Sequence, residues 1–213
     1  SVLFEAVDPA LVDRWKRDYL WFLKAVSLDS GGRRLILKNP PNTARIRTLL
    51  DMFPDARFVH IYRNPYVVYP STRKMRLTTI RRFGLQRTTV EAVERQVLDD
   101  YVSLMNAFFD QKSLIPPGRL VEVSFEALEA NPLETVRDVF EGLGMSGFSE
   151  AEPTIRKFVE SQADYRKNQY LLDDETIQRV EAHWRFTIDR WGYKPPAPQC
   201  DNHDGGCEAT RVA

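Results

Sequence analysis

Apolar residues recur at helical spacing in six parts of the chain, and most of these parts begin at a recognisable capping residue. The first begins at Asp8-Pro9 and ends before Gly31-Gly32. Another begins at Thr88, which has capping-box spacing to Glu91. The remaining helices are predicted over residues 43–52, from Asn64-Pro65 onward, from Asn131-Pro132 to Gly144, and over residues 174–191.

Three short apolar segments lie between these helices and are typical of buried strands. They comprise residues 34–38, 57–63 and 120–125. Alternation of strands with helices predicts an α/β fold with a parallel sheet flanked by helices. Three strands are few, because sheets average about five or six. We therefore expect that further strands precede this sequence and that the domain formed by residues 1–195 lacks its N-terminal part. Residues 196–213 are expected to form a flexible tail.

The most informative segment is the end of the second strand, where Arg63-Asn64-Pro65 opens a helix at once. Ligands of open parallel sheets bind outside the carboxyl ends of the strands. Arg63 at this position, beside a helix N-terminus with Ser71 two turns further along, is suited to a phosphate monoester. The alternative is an arginine that pairs with a local carboxylate and a serine on a neutral helix face.

A local excess of positive charge follows. Residues 63–87 contain six arginines besides one lysine and no acidic residue, which suits an anionic ligand or acceptor. Alternatively, these cations form a solvated face paired with acids such as Glu91, Glu94, Asp99 and Asp100.

Lys38 ends the first strand, where its ammonium would neutralise charge on a transferring group or simply reach solvent. Tyr165-Arg166-Lys167-Asn168 forms another cationic spot.

The amino-acid composition narrows the classes of function that are compatible with this protein. Lys+Arg and Asp+Glu both number 30 in the 213 residues, so no global field points to nucleic acid or an anionic membrane, although local clusters still matter. No apolar run approaches the length of a membrane span.

The only cysteines, Cys200 and Cys207, flank His203 in the tail. Three ligands match structural zinc poorly, so we expect an inert tail and no metal site, and a cysteine-free core is compatible with the cytoplasm.

Several catalytic signatures are absent from the sequence. It contains no Ser-His-Asp order, paired catalytic carboxylates, HExxH, GxGxxG or phosphate-cradling Gly-x4-Gly-Lys-Ser/Thr loop. His60 lies between apolar strand residues and is expected in the core, whereas His183 is expected at the surface.

Four segments of the sequence resemble the sulfotransferases that use 3′-phosphoadenosine 5′-phosphosulfate, in particular the bacterial-type members. The resemblance extends over nearly the whole chain, and the strand–Arg-Asn-Pro–helix–Ser block is its most specific part. The matching segments are residues 35–41, residues 53–65 with Ser71, residues 121–128 followed by Asn131-Pro132 and Leu143-Gly144, and residues 165–170 with Trp191-Gly192-Tyr193.

This resemblance implies a P-loop-NTPase-like sulfotransferase fold and roles for individual residues. Arg63 and Ser71 would bind the 3′-phosphate of the nucleotide, with Arg166 and Lys167 as further candidates. Phe125 would belong to the nucleotide-binding residues, at a position where many members have tyrosine. Lys38 would contact the sulfuryl or bridging oxygen. The loop that holds the 5′-phosphosulfate in the family has no counterpart in this sequence, nor has the catalytic base.

The implied reaction is sulfuryl transfer to a hydroxyl or amine of a small molecule or carbohydrate, without nucleic acid and without a metal. One alternative is a non-catalytic nucleotide- or polyanion-binding module that retains only the 3′-phosphate site. Another is a P-loop-type phosphotransferase, which should show a lysine-bearing phosphate loop and a strand-end aspartate for magnesium. Neither feature is present in the sequence.

Overall fold

The structure, a computed structural model, describes residues 3–4, 7–162 and 170–196. In chain order its elements are α1 (Pro9–Asp29), a 3-10 turn (Pro40–Ala44), α2 (Ile46–Met52), β1 (Phe58–Tyr62), α3 (Pro65–Phe83), α4 (Val90–Gln111), a second 3-10 turn (Lys112–Leu114), β2 (Leu120–Ser124), α5 (Phe125–Ala130), α6 (Pro132–Gly142), α7 (Phe148–Ser161) and α8 (Asp174–Trp191). The chain divides into two compact units, one of residues 1–56 with 103–116 and one of residues 57–102 with 117–213.

The first unit joins α1 and α2 to the C-terminal end of α4. Asp8 caps α1, since its carboxylate accepts a hydrogen bond from the Ala10 amide at 2.9 Å. The Gln111 side chain accepts from the Arg47 amide at 3.0 Å and donates to the Ala44 carbonyl at 3.2 Å. One glutamine amide thus holds the beginning of α2 against the end of α4.

The second unit is built on a parallel pair of strands. β1 and β2 pair in register from Phe58 opposite Leu120 to Tyr62 opposite Ser124. Parallel strands end at the same edge of a sheet, so the residues that follow them, Arg63 and Phe125, leave that edge together. The predicted α/β class with a parallel sheet is confirmed.

The core of the second unit fixes α3 against α4 and α8. Tyr66, Tyr69 and Trp184 are almost fully buried there. The Trp184 indole donates to the Leu98 carbonyl at 3.1 Å, and the Tyr101 ring stacks on it with centroids 3.8 Å apart. Because the first turns of α3 are buried in this cluster, the residues just before α3 are attached to a rigid element.

The predicted strand over residues 34–38 is wrong. Residues 33–39 have no regular structure, and the Ile36 side chain is 94% exposed. A strand forms only where a neighbouring strand accepts and donates its backbone hydrogen bonds. Within the described residues the sheet has two strands, and neither pairs with this segment.

Several element boundaries agree with the predictions and others differ. α8 has the predicted bounds, and Asn64 caps α3 by accepting from the Tyr66 amide at 3.0 Å. The cap near the start of α4 is Thr89 rather than Thr88, since the Thr89 hydroxyl accepts from the Ala92 amide. α7 was not predicted, because Pro153 interrupts the residues that form it.

His60 and His183 lie where the sequence indicates. His60 is 9% exposed, and its Nδ1 lies 3.7 Å from a carboxylate oxygen of Glu122 on the paired strand. His183 is exposed on α8. Among the described residues, no group of three or more histidines, cysteines or acids could hold a metal ion, and none of the described helices has the length and apolar character of a membrane span.

Candidate nucleotide-binding site

The candidate site begins at the turn between β1 and α3. Arg63 and Asn64 follow the last residue of β1, and Pro65 is the first residue of α3. Proline at this position is favourable, because the first amides of a helix have no intrahelical acceptor. The helix therefore presents the positive end of its dipole at the strand edge where Arg63 lies. The amides of its first turn are paired with the side chain and the carbonyl of Asn64.

The Arg63 side chain stacks on an aromatic ring. Its guanidinium carbon lies 4.2 Å from the centroid of the Phe125 ring, a cation–π distance. Its Nε is buried and has no hydrogen-bond partner in the described part of the chain. Nor does any acidic side chain described there form an ion pair with Arg63. Buried polar atoms in proteins are almost always hydrogen-bonded, so this guanidinium is suited to an anion that the described residues do not supply.

Phe125 contributes through its ring and its position in the fold. Ser124 ends β2 and caps α5, with its hydroxyl accepting from the Ala127 amide at 3.1 Å. Phe125 is therefore the first residue of a helix that starts directly at the sheet edge. Phenylalanine cannot donate the hydrogen bond of a tyrosine hydroxyl, and its observed contribution is the ring face beneath Arg63.

Glu126 connects the turn before α3 to the end of α8. One carboxylate oxygen accepts from the Asn64 amide at 3.0 Å, and the other accepts from the Tyr193 hydroxyl at 2.7 Å. Burial and this hydrogen bond raise the pKa of Tyr193 above its usual value. Glu126 thus holds the turn in place.

Glu126 and Tyr193 belong to the candidate site, and the sequence does not predict their contribution. Both lie in segments that resemble the family, but nothing in their spacing indicates that they meet. A usable signal would have been an acid two residues after the end of one strand, at the sheet edge where the other strand leads directly into a helix.

Ser71 is the seventh residue of α3 and is half-buried. At about 1.5 Å per residue, it lies roughly 9 Å along the helix from Pro65. Arg63 and Ser71 belong to the same unit and are attached to the same helix. Their joint contact with one phosphate stays a prediction.

The placement of the other predicted ligands relative to Arg63 stays a prediction. Lys38 is exposed, in the segment without regular structure, and belongs to the other unit. Arg166 and Lys167 lie outside the described residues, as do Cys200, His203 and Cys207.

The basic segment of α3 is partly neutralised by α4. Arg73 forms an ion pair with Glu94 at 2.5 Å, and Arg76 forms one with Asp100 at 2.6 Å. Glu94 also pairs with Arg179 of α8 at 2.8 Å. For Arg73 and Arg76 the structure therefore bears out the alternative of charge pairing over that of an open anion site.

Comparison with known proteins identifies the family. The model of a family described as "Sulfotransferase family" matches residues 10–150. The chain is 36% identical over 195 residues to the omega-hydroxy-beta-dihydromenaquinone-9 sulfotransferases Stf3 of Mycobacterium bovis and Mycobacterium tuberculosis. These alignments cover 92% of this chain and 50% of each relative, so the chain spans about half the length of the curated relatives it matches.

A solved structure bears out the fold. The chain is similar to the sulfotransferase STF9 of Mycobacterium avium, with a TM-score of 0.61 and 16% sequence identity over 77% of this chain and 43% of that one. At this identity the similarity concerns the fold alone, and it agrees with the predicted P-loop-NTPase-like architecture. Since the family model covers more than half of the sequence, the chain belongs to the sulfotransferase family.

Proposed function

We propose that the protein transfers a sulfuryl group from 3′-phosphoadenosine 5′-phosphosulfate, and that this chain supplies the binding site for the 3′-phosphate. The observation that carries the proposal is Arg63, a guanidinium held on the Phe125 ring at a helix N-terminus, with a buried Nε that has no hydrogen-bond partner among the described residues. A phosphate dianion would satisfy that Nε and the positive end of α3 together.

The proposed roles follow from this placement. Arg63 and Ser71 bind the 3′-phosphate, Arg166 and Lys167 add positive charge to it, and Phe125 orients the guanidinium. Lys38 stabilises charge on the sulfuryl or bridging oxygen during transfer. An acceptor oxygen forms a bond to sulfur and gives its proton to a base, the bond from sulfur to the 5′-phosphate oxygen breaks, and adenosine 3′,5′-bisphosphate leaves.

The proposed acceptor is a hydroxyl of a small molecule. The name of the Stf3 relatives specifies an omega-hydroxyl on a dihydromenaquinone, and a primary hydroxyl of a lipid-like molecule is the corresponding proposal for this protein. Transfer of radiolabelled sulfate to such an alcohol would separate an enzyme from a module that only binds the nucleotide.

The nucleotide site is tested by titration with adenosine 3′,5′-bisphosphate and adenosine 5′-monophosphate in a calorimeter. Hydrogen bonds to charged groups contribute about 1.5–3 kcal/mol, so the bisphosphate should bind roughly ten- to a hundredfold more tightly. Arg63→Ala should remove most of this difference, and Ser71→Ala a smaller part of it.

Arg156→Ala is the matched control. Arg156 is an exposed arginine paired with Glu152 at 2.7 Å on α7, so its loss should leave the preference for the bisphosphate intact. Equal affinities of the unmodified protein for the two nucleotides would refute the 3′-phosphate site.

A further inference from the structure

The C-terminal turn of α3 and the loop after it expose large apolar side chains. Phe83 is 76% exposed, and Leu85, two residues later, is fully exposed. All ten residues from 81 to 90 are exposed. Single exposed apolar residues are common, but two so close together in a fully exposed segment indicate a surface that meets an apolar environment.

The same turn carries positive charge without compensation. Arg81, Arg82 and Arg87 are exposed, and none of them has an ion-pair partner among the residues that the structure describes. This distinguishes them from Arg73 and Arg76 of the same helix, which are paired with acids of α4. The sequence has no acidic residue between Asp55 and Glu91.

Arginines that alternate with phenylalanine and leucine match the chemistry of an anionic lipid surface. Guanidinium groups bind lipid phosphates at the headgroup level, while the apolar side chains enter the boundary between headgroups and acyl chains. A nucleic acid would use the arginines and leave Leu85 in water. A lipid surface uses both kinds of residue.

We propose that residues 81–87, here called the α3 tip, dock the protein on an anionic membrane surface. Phe83 and Leu85 insert between the headgroups, and Arg81, Arg82 and Arg87 bind lipid phosphates. The docking is peripheral and needs no membrane-spanning helix. It does not depend on Arg63, so it is independent of the proposed nucleotide site.

The test is sedimentation of the protein with vesicles of phosphatidylcholine alone and of phosphatidylcholine mixed with phosphatidylglycerol. We expect binding to the anionic vesicles, with weaker binding at high salt because the arginine–phosphate attraction is screened. Arg81→Gln/Arg82→Gln/Arg87→Gln should weaken binding about a hundredfold, because each basic residue near such a surface strengthens binding about fivefold and three such factors multiply. Phe83→Ser/Leu85→Ser should weaken it about tenfold or more.

Matched control variants separate specific docking from nonspecific adsorption to the vesicles. Arg156→Gln/Phe158→Ser changes another arginine and another exposed phenylalanine, 64% exposed, where the arginine is already paired with Glu152. This variant and Arg63→Ala should bind vesicles as the unmodified protein does. Unchanged melting temperatures would show that the substitutions leave the fold intact.

Three results would overturn the proposal. The first is equal binding of the α3 tip variants and the control variants. The second is self-association without vesicles that the Phe83→Ser/Leu85→Ser substitution abolishes, which would assign the tip to a second copy of the chain. The third is tighter binding of the tip to a duplex oligonucleotide than to anionic vesicles.

Discussion

The Arg63 guanidinium lies beside the positive end of α3, an arrangement that is unfavourable unless something negative is near. Helix N-termini attract anions and repel cations by a few tenths to about 1 kcal/mol at exposed sites. The face of the Phe125 ring, which carries partial negative charge, lies 4.2 Å from the guanidinium. Glu126 binds the Asn64 amide next to it. A bound anion would relieve the repulsion between the guanidinium and the positive end of α3, and this favours anion binding.

At the residue scale, the Glu126–Tyr193 hydrogen bond should couple the turn before α3 to the end of α8. Tyr193→Phe and Glu126→Gln should each lower the free energy of unfolding by about 1–2 kcal/mol. Since the residues share one 2.7 Å bond, the double variant should lose about 1 kcal/mol less than the sum. Urea denaturation of the four proteins measures this coupling, and strictly additive losses would contradict it.

The start of a helix depends mainly on residues next to it in the sequence, and besides α4, which Thr89 caps, four of the described helices begin at a side-chain cap. Asp8, Asn64, Ser124 and Asp173 each accept a hydrogen bond from an amide in the first turn of α1, α3, α5 and α8. The cap of α3 also positions Arg63, because Asn64 is the next residue. Capping thus determines where the candidate phosphate ligand leaves the sheet.

At the element scale, Asp173→Ala should destabilise the protein by about 1 kcal/mol at neutral pH. The hydrogen bond from the Thr176 hydroxyl, together with that from the Thr176 amide, holds the pKa of Asp173 below its usual value. A lowered pKa means stability that is present above about pH 4 and lost as pH falls through the folded-state pKa. The difference between the variant and the unmodified protein should therefore shrink in acid, as measured by urea denaturation at several pH values.

At the scale of the whole molecule, the second unit depends on one aromatic cluster that joins three helices. Trp184 is fully buried, and it contacts Tyr69 of α3 edge-on and Tyr101 of α4 in a stack. Tyr101 also donates to the Thr187 hydroxyl at 3.3 Å. Because α3 carries the candidate site, the stability of this cluster determines how firmly Arg63 is held.

Burial raises the pKa of Tyr101 to about 12 from an ordinary value near 10. A raised pKa means that the unfolded chain loses this proton first as pH rises. Stability from Tyr101 is therefore complete below about pH 10 and declines between about pH 10 and 12. Tyr101→Phe should flatten the fall in unfolding free energy across this range, and an unchanged slope in urea denaturation would contradict the assignment.

The amino-acid sequence by itself determined the features that depend on neighbours along the chain. The bounds of α8, the Asn64 cap and the two strands Phe58–Tyr62 and Leu120–Ser124 follow from periodicity, capping chemistry and β-branched runs. Arg63 was also identifiable, because a charged residue at the end of a buried strand requires an explanation.

Only the tertiary structure decided which distant residues meet. Residues 34–38 have the composition of a strand, yet no strand forms, because pairing depends on a partner and not on the segment itself. The Arg63–Phe125 stack and the Glu126 bonds to Asn64 and Tyr193 join residues about 60 positions apart. Such contacts result from the register of β1 on β2 and the packing of α8, which depend on the whole core and have no local signal in the sequence.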